Sequence, residues 1–196
     1  MELGMFEYYL IGVNVLGFIL FGINYLLYTY TPEGQVDGLL NIVSLAGGSL
    51  GIVIAIFLID RKPHKKVMMS RVFVWCVLVI QILIFLMLKG YIKSDITLAF
   101  WDFFAQHKAF AVYLLCINLV TFIAFFVDKY QAIHRRSRIR IVTLLGLAFF
   151  GGSIGALAGM YGFRHKIRKD YFTVGVPLII LMQLVLLFYL MNGKLF

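Results

Sequence analysis

Charged residues are scarce in this chain, and acidic residues are scarcer than basic ones. Of 196 residues 14% are charged, with 9 Asp or Glu against 18 Lys or Arg, while 62% are apolar. A soluble domain of this length cannot bury so much apolar surface, so lipid must act as the solvent for much of it. We therefore expect an all-α integral membrane protein.

Cysteine and the short motifs of familiar enzymes are also rare or absent. Cys76 and Cys116 both lie in apolar stretches, which predicts small buried side chains rather than a disulfide. The sequence has no HExxH, CxxC or GxxxxGK[ST] motif. Its excess of basic residues disfavours a metal site. We expect no metal and no cofactor, and an enzyme is less favoured than a non-enzymatic protein.

Long apolar runs are what the sequence has in abundance. About 20 helical residues cross the hydrocarbon core of a bilayer, and each run contains 17 to 23 residues. Each run is therefore long enough to span. The start of the chain, with Glu2 and Glu7, is unlike a signal peptide, so we expect the first run to be retained. The runs are Tyr8–Tyr30, Gly38–Ile59, Val72–Leu88, Ala109–Val127, Ile141–Phe163 and Tyr171–Met191.

The chain resembles itself after a shift of 104 residues. Asn14 aligns with Asn118, and Gly47-Gly48-Ser49 aligns with Gly151-Gly152-Ser153. A match at one fixed period predicts two homologous three-segment repeats, at residues 1–88 and 109–196. Duplicated membrane units often hold a ligand site between the halves. The connector at 89–108 mixes aromatic and acidic residues, which is typical of a helix at the membrane interface.

The basic loops leave two topologies open. If all six runs span, the two repeats are inverted and the Lys and Arg residues divide eleven against seven between the two sides. If Gly38–Ile59 and Ile141–Phe163 are re-entrant, the division becomes fourteen against four, which satisfies the positive-inside rule. Both topologies place the loops Asp60–Arg71 and Asp128–Arg140 in the cytoplasm.

Glycines in the second segment of each repeat have two interpretations. A break at the Gly-Gly pair, with Ser49 or Ser153 capping the helix that follows, would allow a re-entrant turn. Small residues spaced by four would instead let two helices pack closely. The glycines concerned are Gly47, Gly48, Gly51, Gly151, Gly152, Gly155 and Gly159.

Two polar stripes follow helical spacing inside the apolar runs. The first contains Asn14 and Asn24, and the second contains Asn118 and Asp128. Polar side chains in lipid are costly unless they face protein or water. The stripes therefore either hold helices together through hydrogen bonds or face each other and line a ligand site.

A dense basic cluster, Arg164-His165-Lys166, precedes the last segment. It suits contact with lipid headgroups, or binding of a phosphate or carboxylate. His165 is its candidate proton carrier near neutral pH. Asp128 and Lys129 lie at the cytoplasmic boundary, where Asp128 requires a cationic partner such as Arg138 or Lys166.

The second repeat resembles a known family through Asp128-Lys129, Arg138-Ile139, Gly151-Gly152-Ser153, Arg164-His165-Lys166 and Phe172-x-x-Gly175-x-Pro177. These motifs, in this order, resemble small bacterial inner-membrane proteins catalogued as domain of unknown function 1294. The resemblance covers about Tyr113–Met191 and implies a multi-pass protein of the bacterial inner membrane. The family has a Glu where Ile141 stands here. The first repeat has Asp37 at the aligned position, which makes Asp37 a candidate site residue.

Three functions remain open from the sequence. The first, which the duplication and the mid-membrane asparagines favour over the other two, is a transporter or channel for a small solute or ion, with a site between the repeats. The second is an enzyme or binding module for an anionic lipid or phosphate-bearing ligand at the cytoplasmic face. The third is a membrane scaffold. We expect the lipid bilayer and anionic headgroups as partners, allow a homo-oligomer and disfavour nucleic acid.

Overall fold

The regular structure of the chain is helical. The computed structural model describes residues 4–31, 36–60, 67–92 and 96–193, so most of the basic loop at 60–71, and residues 93–95 of the connector, lie outside the described residues. Across those ranges the all-α prediction is confirmed, since the β-structure there is one isolated bridge between Ile92 and Gly193. The α-helices are α1 (Met5–Tyr30), α2 (Asp37–Val43), α3 (Ser49–Ile59), α4 (Met68–Leu88), α5 (Phe100–Gln106), α6 (Lys108–Ile133), α7 (Ile141–Leu147), α8 (Ser153–Gly162), α9 (Asp170–Thr173) and α10 (Gly175–Asn192).

Six helices of the described chain are long and apolar enough to cross a membrane. Two of them are broken helices, joined across a short π-helical turn. Broken helix 1 consists of α2, the turn Ser44–Gly48 and α3, and broken helix 2 consists of α7, the turn Ala148–Gly152 and α8. Large apolar side chains stay exposed along these helices, as lipid solvation requires. The chain is a multi-pass membrane protein.

The chain divides into two compact units, unit 1 (Met1–Ile82) and unit 2 (Leu83–Phe196). The border falls inside α4, a few residues before the predicted connector. In unit 1, broken helix 1 packs against α1, and Phe21, Ile52 and Val74 belong to one buried apolar cluster. In unit 2, broken helix 2 packs against α6 and α10.

Each broken helix turns at a glycine with a left-handed backbone. Gly47 has φ 115° and Gly151 has φ 116°, a region that other residues rarely adopt. The following serines do not cap the next helix. Instead, the hydroxyls of Ser49 and Ser153 donate to the side-chain carbonyls of Gln81 and Gln183, because these amides lie within reach of the turn. The predicted serine caps are therefore wrong.

The two glutamines also satisfy backbone carbonyls that the turns leave free. Gln81 Nε2 donates to the carbonyls of Ser44 and Leu45, at 2.8 and 3.1 Å. Gln183 Nε2 donates to those of Ala148 and Phe149, at 2.7 and 3.0 Å. Irregular backbone at membrane depth needs such protein partners, because lipid offers none.

Small residues bring each broken helix against the long helix before it. A Cβ at Gly51 would overlap the backbone of Asn14, and one at Gly155 would overlap that of Asn118. A Cβ at Gly48 would lie 2.8 Å from the Val13 carbonyl oxygen. In unit 2, a Cβ at Gly152 would overlap the side chain of Thr121, and one at Gly159 would lie 2.8 Å from Phe125 Cβ.

The cysteines differ in exposure. Cys76 is buried in α4, as expected, but Cys116 is exposed on α6, and neither forms a disulfide. The expectation that both are buried is wrong for Cys116. Its position is apolar because that face of α6 is exposed, and an exposed face of a membrane helix meets lipid rather than water.

Candidate functional site

Asp128 lies at the centre of the most elaborate polar cluster in the described part of unit 2. Its side chain is fully buried in the last two turns of α6. Lys166 Nζ lies 2.6 Å from Asp128 Oδ2, and His165 Nε2 lies 2.8 Å from the same oxygen. A carboxylate accepts hydrogen bonds, so His165 donates through Nε2–H. Asp128 Oδ1 accepts the backbone N–H of Ile139 at 3.0 Å.

One carboxylate therefore joins three parts of unit 2. Ile139 belongs to the loop that enters broken helix 2, and His165 and Lys166 belong to the loop that leaves it. Both ends of a 22-residue helix thus meet at the same residue of α6. Asp128 fixes the two basic loops beside each other.

The loop after α8 adopts backbone conformations that are unusual for residues with side chains. Arg164 has φ 45° and Lys166 has φ 64°, on either side of His165. Such conformations cost about 1–3 kcal/mol each and persist where surrounding contacts hold them. The contacts of Asp128 with His165 and Lys166 supply that restraint.

Lys166 also contacts an aromatic ring. Its Nζ lies 5.0 Å from the ring centroid of Phe172, which packs edge-on against Phe125 at 5.5 Å. Burial lowers the pKa of the Lys166 ammonium below its usual range; the Asp128 carboxylate opposes this shift and the Arg138 charge adds to it. Arg138 is thus close enough to act on the cluster electrostatically.

Exposed cations lie in the two loops that contact the buried carboxylate, and a further cation lies next to it on α6. Arg138 and Arg164 are exposed, and Lys129 is half-buried. The loops 134–140 and 163–169 carry further exposed basic residues and no acidic residue between them. Those further residues are Arg135, Arg136, Arg140, Arg168 and Lys169.

Unit 1 has a polar cluster at the corresponding end of α1, with different residues. Asn24 is buried, and it donates through Nδ2 to Asp37 at 2.9 Å and accepts the Val36 N–H at 3.0 Å. Asp60, also buried, pairs with Arg71 and accepts the Tyr28 hydroxyl. The two ends of broken helix 1 therefore contact α1 through Asn24 and Tyr28, one turn apart.

The two mid-membrane asparagines are occupied by backbone partners. Asn14 Oδ1 accepts the Gly51 N–H at 2.7 Å, and its Nδ2 donates to the Leu10 carbonyl at 2.8 Å. Asn118 makes the matching bonds with Gly155 and Leu114, both at 2.7 Å, and a further one to the Gly151 carbonyl at 2.8 Å. These amides hold helices together. Because they lie in separate units, a shared site between the two stripes stays a prediction.

The sequence reasoning missed Gln81, Gln183 and the Asp60–Arg71 pair. A signal for the glutamines was present, since each is an uncharged polar residue in the middle of an apolar span, where polar groups are costly. The Asp60–Arg71 pair had no comparable signal, because flanking charges usually face solvent. Among the described residues, no group of three or more His, Cys, Asp or Glu side chains is placed to hold a metal ion.

The part of the chain that matches known proteins contains this cluster. Residues 118–172 match the model of a family described as "Protein of unknown function (DUF1294)", a range that includes Asp128, His165 and Lys166. The chain is 36% identical over 77 residues to "Uncharacterized protein YsdA" of Bacillus subtilis (strain 168), a match covering 39% of this chain and 86% of that protein. No solved structure matches the chain. The resemblance read from the motifs is confirmed, and the chain belongs to the DUF1294 family of proteins of unknown function.

Proposed function

We propose that this protein binds a phosphate-bearing anionic group at the cytoplasmic surface of a bacterial inner membrane, through the basic loops of unit 2. The observation that carries the proposal is the attachment of both loops to Asp128. Without it, the cations would be a dispersed set of flanking charges. With it, the two loops that carry the exposed arginines are both anchored to one buried acid.

The chemistry of the loops suits a phosphate-bearing ligand. Arg138 and Arg164 are exposed, and guanidinium groups bind phosphate oxygens through paired donors. Asp128 neutralises part of the charge of His165 and Lys166 but leaves these arginines without an acidic partner among the described residues. The net field of the loops is positive, and it lies where anionic headgroups are found.

The membrane topology in this proposal has re-entrant broken helices. The contacts of Ile139 and Lys166 with one carboxylate support a path that enters and leaves on one side. The contacts of Asp37 and Asp60 with neighbouring turns of α1 support the same path in unit 1. All three basic loops then face the cytoplasm, with fourteen of the eighteen Lys and Arg residues.

We also propose that the two units are duplicates. The bond from Tyr9 to the Ala46 carbonyl recurs 104 residues later between Tyr113 and the Phe150 carbonyl. The bond between Asn14 and Gly51 recurs in the same way between Asn118 and Gly155.

Transport is the second candidate, and the contacts favour it less. A transport path along the asparagine stripes needs amides that are free to meet a solute. Asn14 and Asn118 instead bind backbone groups at the glycine contacts. A broken helix that dips into the membrane remains the feature that supports a path.

Native mass spectrometry of the detergent-purified protein tests the binding proposal. We expect phosphatidylglycerol to remain bound and phosphatidylethanolamine to be lost at the same collision energy. The double variant Arg138→Gln/Arg164→Gln should weaken phosphatidylglycerol binding about 30-fold, since each basic residue near a membrane surface contributes about 1 kcal/mol. Lys108→Gln, an exposed lysine at the other end of α6, is the matched control and should have no effect.

Soluble glycerol phosphate forms the second arm of the experiment. Binding of both glycerol phosphate and the lipid identifies the phosphate itself as the determinant. Binding of the lipid alone identifies a membrane headgroup. Equal retention of both lipids by the native protein, or an equal effect of the double variant and the control, contradicts the proposal.

A further inference from the structure

One face of α2 is polar in unit 1 although the aligned face in unit 2 is apolar. Asp37, Asn41 and Ser44 are spaced by four and three residues, so they share a side of the helix. They run from the entrance of broken helix 1 to its π-helical turn. The residues 104 positions later are Ile141, Leu145 and Ala148. Unit 2 shows that the broken helix folds without this polar face.

Several polar atoms near this face are buried without a hydrogen-bond partner among the described residues. They include Asn41 Oδ1 and Ser44 Oγ, and the Ser44 side chain is fully buried. Arg71 Nε is a third such atom, and its side chain is only 10% exposed. Buried polar groups of native proteins are normally paired with protein or with ordered water. Three such atoms in one unit therefore point to bound water.

A small cavity lies at the outer end of the same face. Asn24, Asp37, Leu40, Ser70 and Arg71 contribute to its wall, and it has room for about one water molecule. Asp37 and Arg71 both line it but form no ion pair with each other, so a gap separates the carboxylate from the guanidinium. A water molecule in this gap would connect an acceptor to a donor.

We propose that unit 1 holds a chain of buried water molecules from the Asp37 cavity along α2 to Ser44. The lining mixes donors, such as Arg71 Nε, with acceptors, such as Asn41 Oδ1 and the Asp37 carboxylate. Water satisfies both kinds of group, whereas the positive charge of Arg71 would repel a bare cation. The passage ends at the turn, where the carbonyl of Ser44 is already bound by Gln81.

This inference is independent of the binding site proposed in unit 2. It gives unit 1 a hydrated polar passage that leads from the membrane boundary to the π-helical turn of broken helix 1. Polar residues within a membrane are tolerated where they line such a wet cavity. The aligned face of unit 2 offers no polar side chain at these three positions, so it should be dry.

Thiol hydrogen–deuterium exchange, followed by infrared spectroscopy in bilayers, tests the passage. The variants are Ser44→Cys and the matched Ala148→Cys, each in a chain that also carries Cys76→Ala and Cys116→Ala. Both positions are fully buried in the static structure, so exposure alone predicts equal rates. We expect the thiol at position 44 to exchange at least about tenfold faster, because a dry site exchanges only after local opening.

A second pair guards against a folding defect in the first. Asn41→Cys and Leu145→Cys make a second comparison one turn earlier. Asn41 is half-buried and Leu145 is buried, so Ile42→Cys, at an exposed neighbouring position, is the control for exposure. Thermal melting in detergent verifies that all five variants fold. Faster exchange at position 41 than at both position 145 and the exposed position 42 supports the passage even if Ser44→Cys is unstable. Equal rates in the folded pairs, or faster exchange in unit 2, would overturn the proposal.

Discussion

The side-chain oxygen of Asn118 accepts a hydrogen bond from the backbone N–H of Gly155 at 2.7 Å. The glycine is what permits this bond, because any Cβ at that position would overlap the Asn118 backbone. A polar residue of a long helix thus binds the backbone of a broken helix at a point where the two chains touch. The asparagine and the glycine form one contact, although they are 37 residues apart in sequence.

Gly155→Ala tests this contact against a matched glycine. The added methyl group would push α8 away from α6, so we expect a lower melting temperature in detergent and a loss of about 1–3 kcal/mol. Gly146→Ala is the control, since a Cβ there meets nothing within 4 Å. A melting temperature unchanged in both variants would show that the helices separate without cost.

Gln183→Leu tests the support of the second π-helical turn. The change removes the donor to the carbonyls of Ala148 and Phe149 and the acceptor of Ser153. Leaving buried polar groups unpaired costs about 1–3 kcal/mol, so the melting temperature should fall. Leu181→Ala, at an exposed position of the same helix, should change it much less. Native-like stability of Gln183→Leu would mean that another group satisfies the turn.

Asp128→Asn separates binding from folding. Asn24 shows that an amide at the end of α1 can accept a loop N–H, so we expect Asp128→Asn to fold while losing the hold on His165 and Lys166. The free energy of phosphatidylglycerol binding should fall by more than the free energy of unfolding does. Loss of the folded protein from the membrane would instead assign Asp128 a structural role.

Lys166→Met completes a double-mutant cycle with Asp128→Asn. Each single change leaves one partner of the ion pair without its counterpart, whereas the double variant removes both charges. We expect the double variant to be more stable than the sum of the single effects implies, by about 0.5–3 kcal/mol, the range for groups in contact. If the changes in the free energy of unfolding are strictly additive, the Asp128–Lys166 pair contributes nothing to stability.

The side of the membrane reached by the basic loops is tested by cysteine labelling of intact cells. Arg136→Cys and Arg168→Cys are each made in a chain that carries Cys76→Ala and Cys116→Ala. If the broken helices are re-entrant, neither thiol reacts with an impermeant reagent, while Gln106→Cys, in the connector, reacts. Labelling at Arg168→Cys but not at Arg136→Cys would instead indicate six full spans. Labelling at Arg136→Cys would contradict both topologies.

The helical content and membrane character follow from sequence because they depend on local composition. Runs of about 20 apolar residues must be helical in lipid, since only internal hydrogen bonds satisfy their backbone. The family motifs likewise point to Asp128, His165 and Lys166 as candidate site residues. The role of Gln81 and Gln183 was not predicted, because it depends on carbonyls that become free only when the turn forms.

Composition and residue spacing are enough to establish the class of protein, its apolar segments and the 104-residue period of similar residues. Which polar residues meet depends on the tertiary structure. Asn118 and Asp128 lie on one stripe of α6, yet Asn118 binds a glycine backbone while Asp128 binds two cations from a distant loop. The two residues differ because a polar side chain in an apolar helix needs a partner, and the packing of the broken helix, rather than helical spacing, sets that partner.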